Sequence, residues 1–364
     1  MNKLTVPFFI THRGCPHRCV FCDQEKISGS TGDLPGEKEI VRKISEYRQT
    51  GGTKSMEVAF FGGSFTSLSV ESRERLLRPL QPLLKSGEVG SIRISTRPDC
   101  VDPGIVAFLK DMGVSTVELG VQSMDDYVLE LSGRGHGSGE VESAVSCLKS
   151  AGMGVGIQLM PGLPGDSPAG SLDSLCRVLE LEPDFLRVYP TVVIAGTALE
   201  ELYANGSYYP MTLDEAVGLC KVMLLESMRS GIPVIRMGLQ PTDELRKPGN
   251  IVAGPWHPAF RQLVEAELCF DLLARIIGES CLHGGDVTVH CAPVRVADVI
   301  GQKRANAMRL LRQFGVKLAA VKPERGMSTM ELGAVFGGAA FYGNMLKDLC
   351  YDLCSSEMCI HGAG

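Results

Sequence analysis

Three cysteines fall within eight residues near the start of the chain, in RGCPHRCVFC (13–22), with the spacing C-x3-C-x2-C: Cys15, Cys19 and Cys22. Thiolates at this density hold soft metals. Structural zinc and closed iron–sulfur centres take four protein ligands. Three cysteines without an obvious local fourth can instead leave one iron of a 4Fe–4S cluster open to a small molecule. His12 and His17 lie close enough in sequence to complete a zinc site, so zinc is the rival reading. A cluster of buried apolar cysteines fits poorly, because Arg13, His17, Arg18 and Asp23 make the stretch polar. A second group, Cys350, Cys354, Cys359 and His361, has the spacing C-x3-C-x4-C-x-H and is a weaker metal candidate, because no barrel-type strand precedes it.

The elements that must position the first triplet follow from the alternation of short β-type runs with amphipathic stretches. Strands are expected at 6–10, 57–61, 91–95, 116–120, 155–160, 185–190 and 233–237. Helices are expected at 36–49, 69–85, 103–112, 138–151, 169–181 and 212–230. Such alternation implies a parallel sheet with crossover helices, a full or partial β/α barrel, with chemistry at the C-terminal ends of the strands. The triplet follows the first strand, and Gly- and Pro-rich turns follow others, as in FFGGSF, STRPD and LMPGLPG. Beyond residue 255 the pattern changes. A helix-like segment over 258–277 leads to a strand in DVTVHCAP, a helix in VIGQKRANAMRLLRQF and a strand in VKLAAVKP.

The chain has 364 residues, 44% hydrophobic and 21% charged, which is ordinary usage for a globular protein. Its net charge of −6 excludes polyanion binding by bulk charge. Thirteen cysteines in a secreted protein would read as disulfides. The amino terminus lacks the features of a signal peptide, and no apolar run reaches the roughly 18 residues of a membrane span. A cytoplasmic location with reduced thiols is expected.

With its order and context, CxxxCxxC resembles the hallmark of the radical S-adenosylmethionine (SAM) enzymes. Phe21 stands at their aromatic position before the last cysteine, and Gly62-Gly63-Ser64-Phe65-Thr66 matches their glycine-rich segment after the next strand. The middle of the chain is similar to the oxygen-independent coproporphyrinogen oxidase branch and to the radical SAM part of Elongator's catalytic subunit, through STRPD (95–99), ELGVQS (118–123), GRGH (133–136) and QLMPGLPGD (158–166). The resemblance spans about residues 5–240. It implies an α/β fold, a partial (β/α)6-type barrel with a small C-terminal α/β module, divided as 1–255 barrel core, 256–280 connecting helix, 281–335 basic module and 336–364 Cys-containing tail.

The resemblance further implies a 4Fe–4S cluster on Cys15, Cys19 and Cys22, SAM chelated to the open iron, and one-electron cleavage of SAM to a 5′-deoxyadenosyl radical that attacks a substrate. Gly62, Gly63 and Ser64 would offer backbone amides to the methionine group. Phe21, Gln122, Arg134 and Gln158 would complete the SAM pocket. Many relatives carry an acid where Ser95 or Gln158 stands here. An electron donor such as flavodoxin or ferredoxin is expected. Only about 85 residues follow position 280, too few for the acetyltransferase domain of Elongator's subunit, so acetyl transfer is not expected.

Residues 295–325 carry eight Lys/Arg against Asp298 and Glu324, a local excess of six positive charges. VIGQKRAN resembles the loop before a helix in KH-type RNA-binding modules, without the second glycine of GxxG. A helical projection puts Ile300, Met308, Leu311 and Phe314 on one face, with Arg309 and Arg312 pointing away. RNA, tRNA in particular, is the expected anionic partner through Arg309 and Arg312. A solvated accessory helix is the plainer reading. GLQPTDEL (238–245) and AGPWHPAF (253–260), with Trp256 and His257, are candidates for the barrel mouth or for its structural closure. Two other functions share these motifs: a radical SAM enzyme acting on a small molecule or tetrapyrrole, and a metal-bearing binding protein without catalysis.

Overall fold

The computed structural model describes residues 4–11, 13–29, 33–51, 55–280 and 284–351. They group into two compact units, residues 1–211 with 239–256, and 212–238 with 257–364.

The first unit is built on six parallel strands that pair in sequence order: β1 (Leu4–Phe9), β2 (Met56–Phe61), β3 (Ser91–Thr96), β4 (Val114–Gln122), β5 (Gly154–Leu159) and β6 (Phe185–Val188). Helices Glu37–Gly51, Pro103–Asp111 and Ser138–Ser150 are among the crossovers. This is the α/β partial barrel that the alternation predicts. In two crossover helices, Pro103–Asp111 and Pro168–Glu180, proline at the first helical position and a side-chain cap just before it fix the start. Asp102 accepts from Ile105 N at 2.8 Å and Ser167 from Gly170 N at 3.0 Å.

The two faces of this sheet differ. Strand side chains alternate with a period of two. One set, including Val58, Phe60, Ile92, Ile94, Val117 and Ile157, is wholly buried. Burying each such side chain stabilises the fold by roughly 1.5–3 kcal/mol. The opposite set includes Glu57, Arg93, Ser95, Glu118, Gln158 and Arg187. Parallel strands are usually apolar on both faces, so this polar face marks the side of the sheet given over to something other than packing.

The second unit carries helices Leu213–Arg229 and Phe260–Glu279 and a four-stranded sheet. Gly285–Cys291 lies between Val316–Pro323, parallel, and Glu331–Phe336, antiparallel; Ala339–Asn344 completes the sheet. The sheet therefore continues past residue 335, where the sequence suggested a tail. The helix expected over VIGQKRANAMRLLRQF is two helices, Val296–Ile300 and Ala305–Phe314. Gly301, Lys303 and Arg304 all have positive φ (73°, 50° and 64°), which breaks the helical path.

The expected apolar face of that helix is also corrected. Leu310 and Asn306 are the buried positions, whereas Met308 and Leu311 are 48% and 53% exposed. Asn306 Nδ2 decides the rotation by donating to the carbonyls of Ala266 (2.8 Å) and Asp298 (3.0 Å). Among the described residues no helix is long and apolar enough to cross a membrane. Cys354, Cys359 and His361 lie outside the described residues; Cys350 is exposed.

Candidate metal-cluster site

The cysteine loop leaves β1 and folds onto the loop after β2. Ser64 N donates to Arg13 O at 2.9 Å. The two backbones meet so closely that a Cβ on Gly14 would stand 2.2 Å from Ser64 O, and one on Gly63 would stand 2.1 Å from Arg13 O. Glycine at 63 is thus required by the cysteine loop itself. Gly62 has φ +87°, a backbone setting suited to glycine. Ser64 is fully buried. Its Oγ lies 2.9 Å from Thr96 Oγ1 and accepts from Arg97 N at 3.4 Å. The glycine-rich segment therefore ties the cysteine loop to the end of β3.

The far side of the loop is anchored by apolar packing. Phe21 and Cys19 are buried with Val128, Leu163, Val193, Leu199 and Tyr208. Val20 N donates to Ser132 O at 3.1 Å, and Val20 O accepts from Leu199 N at 2.8 Å. The aromatic before the last cysteine is here a core anchor. Pro16, His17 and Arg18 remain exposed.

The three thiols share one electrostatic environment. Burial, then the neighbouring Cys19, raises the Cys15 pKa, against the opposing pull of Arg97 and Arg134. Burial, then Cys19 and Cys15, pushes the Cys22 thiol up to about 12, again opposed by Arg134. The Gln24 side chain hydrogen-bonds Cys15 and Cys22. Arg134 Nη1 donates to Cys19 Sγ at 3.2 Å, and its Nη2 donates to Gly120 O. Without metal the raised pKa values of Cys15 and Cys22 favour their protonated forms, so a metal or cluster must displace those protons on binding.

Gln122, at the end of β4, has φ +76° and a buried Oε1 without a partner. A Cβ on Gly120 would stand 3.1 Å from Gln122 Nε2 and 3.5 Å from Arg134 Nη2, which places both side chains over the same glycine. Gln158 belongs to a different group. Its Nε2 donates to Glu118 Oε2 at 3.1 Å. Glu118, wholly buried, also accepts from Arg93 (2.8 Å), Arg187 (3.1 Å) and Ser95 (3.4 Å), and Arg93 pairs with Glu57 at 2.6 Å. Phe61 lies under both guanidinium groups. Ser95 and Gln158 thus both donate to a carboxylate that the sheet supplies from β4.

Sequence reasoning missed Gln24, Arg97 and the Arg93–Glu118–Arg187 network. Gln24 sits two residues past the last cysteine, and Arg97 lies inside STRPD, so both were marked by position. A charged residue in the middle of a parallel strand was the available signal for the network.

The residues fit an iron–sulfur cluster. Three soft thiol donors stand together beside cationic groups, and buried Arg97 Nη1, Arg134 Nε, Gln122 Oε1 and His136 Nε2 have no partner. Among the described residues, no three His, Cys, Asp or Glu side chains converge as they would around a single metal ion. His12, one of the two histidines of the zinc reading, lies outside the described residues.

A partial barrel with a cysteine loop at the C-terminal end of its first strand defines a class, and comparison with known proteins agrees. The model described as "Radical SAM superfamily" matches residues 9–171, and "Radical_SAM C-terminal domain" matches 183–269; the chain belongs to the radical SAM superfamily. It is similar to the tRNA uridine(34) acetyltransferase of Dehalococcoides mccartyi, 28% identical over 56% of this chain and 52% of that protein. It is also similar to the heme chaperone HemW of Bacillus subtilis, 25% identical over 60% of this chain and 59% of that one. The archaeal Methanocaldococcus infernus Elp3, with an N-terminal deletion, shares the fold: TM-score 0.58 at 22% identity, covering 73% of this chain and 62% of that one. The chain thus spans only about half to three fifths of the length of the two named curated relatives.

Proposed function

We propose that the chain is a radical SAM enzyme that holds a 4Fe–4S cluster on Cys15, Cys19 and Cys22 and binds SAM beside it, with RNA, specifically tRNA, as its substrate class. The observation that carries the reading is the Cys19 thiol under Arg134, in a triad at the C-terminal ends of the strands. When bound, the cluster supplies the electron that cleaves SAM reductively to methionine and a 5′-deoxyadenosyl radical.

The chain's own residues bind and orient. Arg134, held by Gly120 O, offers a cationic contact for a carboxylate. Gln122 Oε1 offers a buried acceptor, and Gly62 a backbone free of side-chain hindrance. Gln158 and the Glu118 network give the sheet interior a polar lining for the nucleoside and substrate. Phe21 and its apolar neighbours keep water from the back of the cysteine loop. A low-potential donor such as flavodoxin or ferredoxin would supply electrons.

The RNA reading rests on relatives named for tRNA modification and on the basic segment of the second unit, with one revision. Arg309 is held in a bidentate pair with Glu267 and stacked on Phe270, 3.5 Å from the ring centroid. Lys303, Arg304 and Arg312 are exposed and are the better phosphate contacts.

Anaerobic reconstitution followed by dithionite and SAM tests the chemistry. Release of 5′-deoxyadenosine and methionine is expected. A loaded protein that yields neither is a cluster-bearing binding protein. Zinc at the three cysteines, with no iron, overturns the assignment. For the substrate, tRNA affinity should fall steeply between 50 and 200 mM salt, by the ~10³-fold or more typical of several phosphate contacts. No affinity at low salt leaves a small molecule or tetrapyrrole as the substrate class.

A further inference from the structure

Arg97, just past the end of β3, is 96% buried. Its Nε and Nη2 donate to the two oxygens of Asp99 at 2.9 and 3.0 Å, and Nη2 also donates to the carbonyl of Arg134. Its backbone N–H donates to Ser64 Oγ, and Nη1 is buried without a partner. Asp99 keeps a side chain about one fifth exposed. The pair is therefore polarised, with its positive end inward and its negative end towards water. Arg134 in turn donates to Cys19 Sγ and Gly120 O.

We propose that Arg97 is a positioning residue that fixes Arg134 on the Cys19 sulfur and, with it, sets the reduction potential of the cluster, Asp99 trimming the effect. This rests on the cluster reading above.

The physics is direct. Reduction adds one electron to the cluster, and so one negative charge to the site. Fixed positive charge and hydrogen bonds to the sulfurs stabilise the reduced form and raise the potential. At low dielectric a neighbouring unit charge is worth far more than in water. A guanidinium is needed at 97 because it can hold Asp99 with two parallel bonds and still reach Arg134 O. An ammonium cannot make that fork.

The test is redox titration of the reconstituted full-length protein with dithionite as one-electron donor, followed by the electron paramagnetic resonance of the reduced cluster. Arg97→Gln should make reduction at least tenfold less favourable, a fall of about 59 mV for a one-electron couple. Asp99→Asn removes the opposing charge and should move the potential upward. Arg97→Lys should fall between wild type and Arg97→Gln. A merely structural role would lower cluster content in both Arg97→Gln and Asp99→Asn without separating their potentials in opposite directions. Potentials that stay at the wild-type value, or move the same way in both variants, overturn the proposal. Should Arg97→Gln fail to fold, Asp99→Asn and Arg97→Lys still decide by the sign of their shifts. Failure of the wild type to bind iron would instead remove the cluster reading itself, so the two failures are distinguishable.

Discussion

Each unit buries a network of charges, and the two are completed differently. In the first, Glu118 gathers Arg93, Arg187, Gln158 and Ser95, yet Arg93 Nε and Arg187 Nε are left without partners. In the second, Asp271 accepts from Lys221 and Tyr351 at 2.6 Å each, and Glu267 holds Arg309. None of the buried polar atoms of those five side chains lacks a partner. An unanswered buried donor costs about 1–3 kcal/mol, and native proteins keep few of them. The closed network has the form of a structural brace between helices. The open one lies on the polar face of a parallel sheet, where spare donors can meet a ligand.

The comparison can be broken most decisively at the thiols. Cys19→Ala and Cys22→Ala should each reduce iron in the reconstituted protein to background. Full iron content in either variant would detach the cysteine loop from the cluster.

Next come the carboxylates. Glu118→Leu leaves Arg187 without its carboxylate and Arg93 with Glu57 alone, and should cost about 3–5 kcal/mol in denaturant unfolding; Asp271→Leu should cost a similar amount. SAM cleavage per loaded cluster should drop only in Glu118→Leu. Equal loss of turnover in both would erase the distinction between the networks.

A pH arm follows. Burial, then Arg134, lowers the His136 pKa from 6.5 to about 4, against the Gly137 carbonyl and Asp99. The unfolded chain binds the proton more readily. This histidine therefore contributes stability above pH 6.5, and the contribution is lost as pH falls from 6.5 through 4, up to about 3 kcal/mol in all. His136→Gln should flatten that part of the stability profile; an unchanged slope places the titrating group elsewhere.

The smallest effects separate two arginines of the second unit. Arg309→Ala should cost about 1–3 kcal/mol through the lost pair and ring contact. Arg312→Ala should stay within about 0.5 kcal/mol while reducing the salt slope of tRNA binding by about one. The reverse pattern would restore Arg309 as the phosphate contact.

The alternation of β runs and helical stretches made the barrel legible, because the strands' apolar alternate residues and the proline and cap that start helices such as Pro103–Asp111 and Pro168–Glu180 are local signals. The cysteine spacing made the cluster candidate legible for the same reason. The rotation of the helix Ala305–Phe314 was not legible. Its periodicity named Met308 and Leu311 as core, and a single amide, Asn306, reaching two distant carbonyls overruled it.

The sequence by itself determined the parallel sheet, the place of the cysteines after its first strand and the kinds of donor available there, since these depend on periodicity, turn chemistry and spacing. Only the tertiary structure decided which residues meet. It put Arg134 on Cys19 across 115 positions, moved Gln158 into the Glu118 network and committed Arg309 to a partner helix. Those outcomes depend on distance and burial between residues far apart in the chain, and no local pattern encodes them.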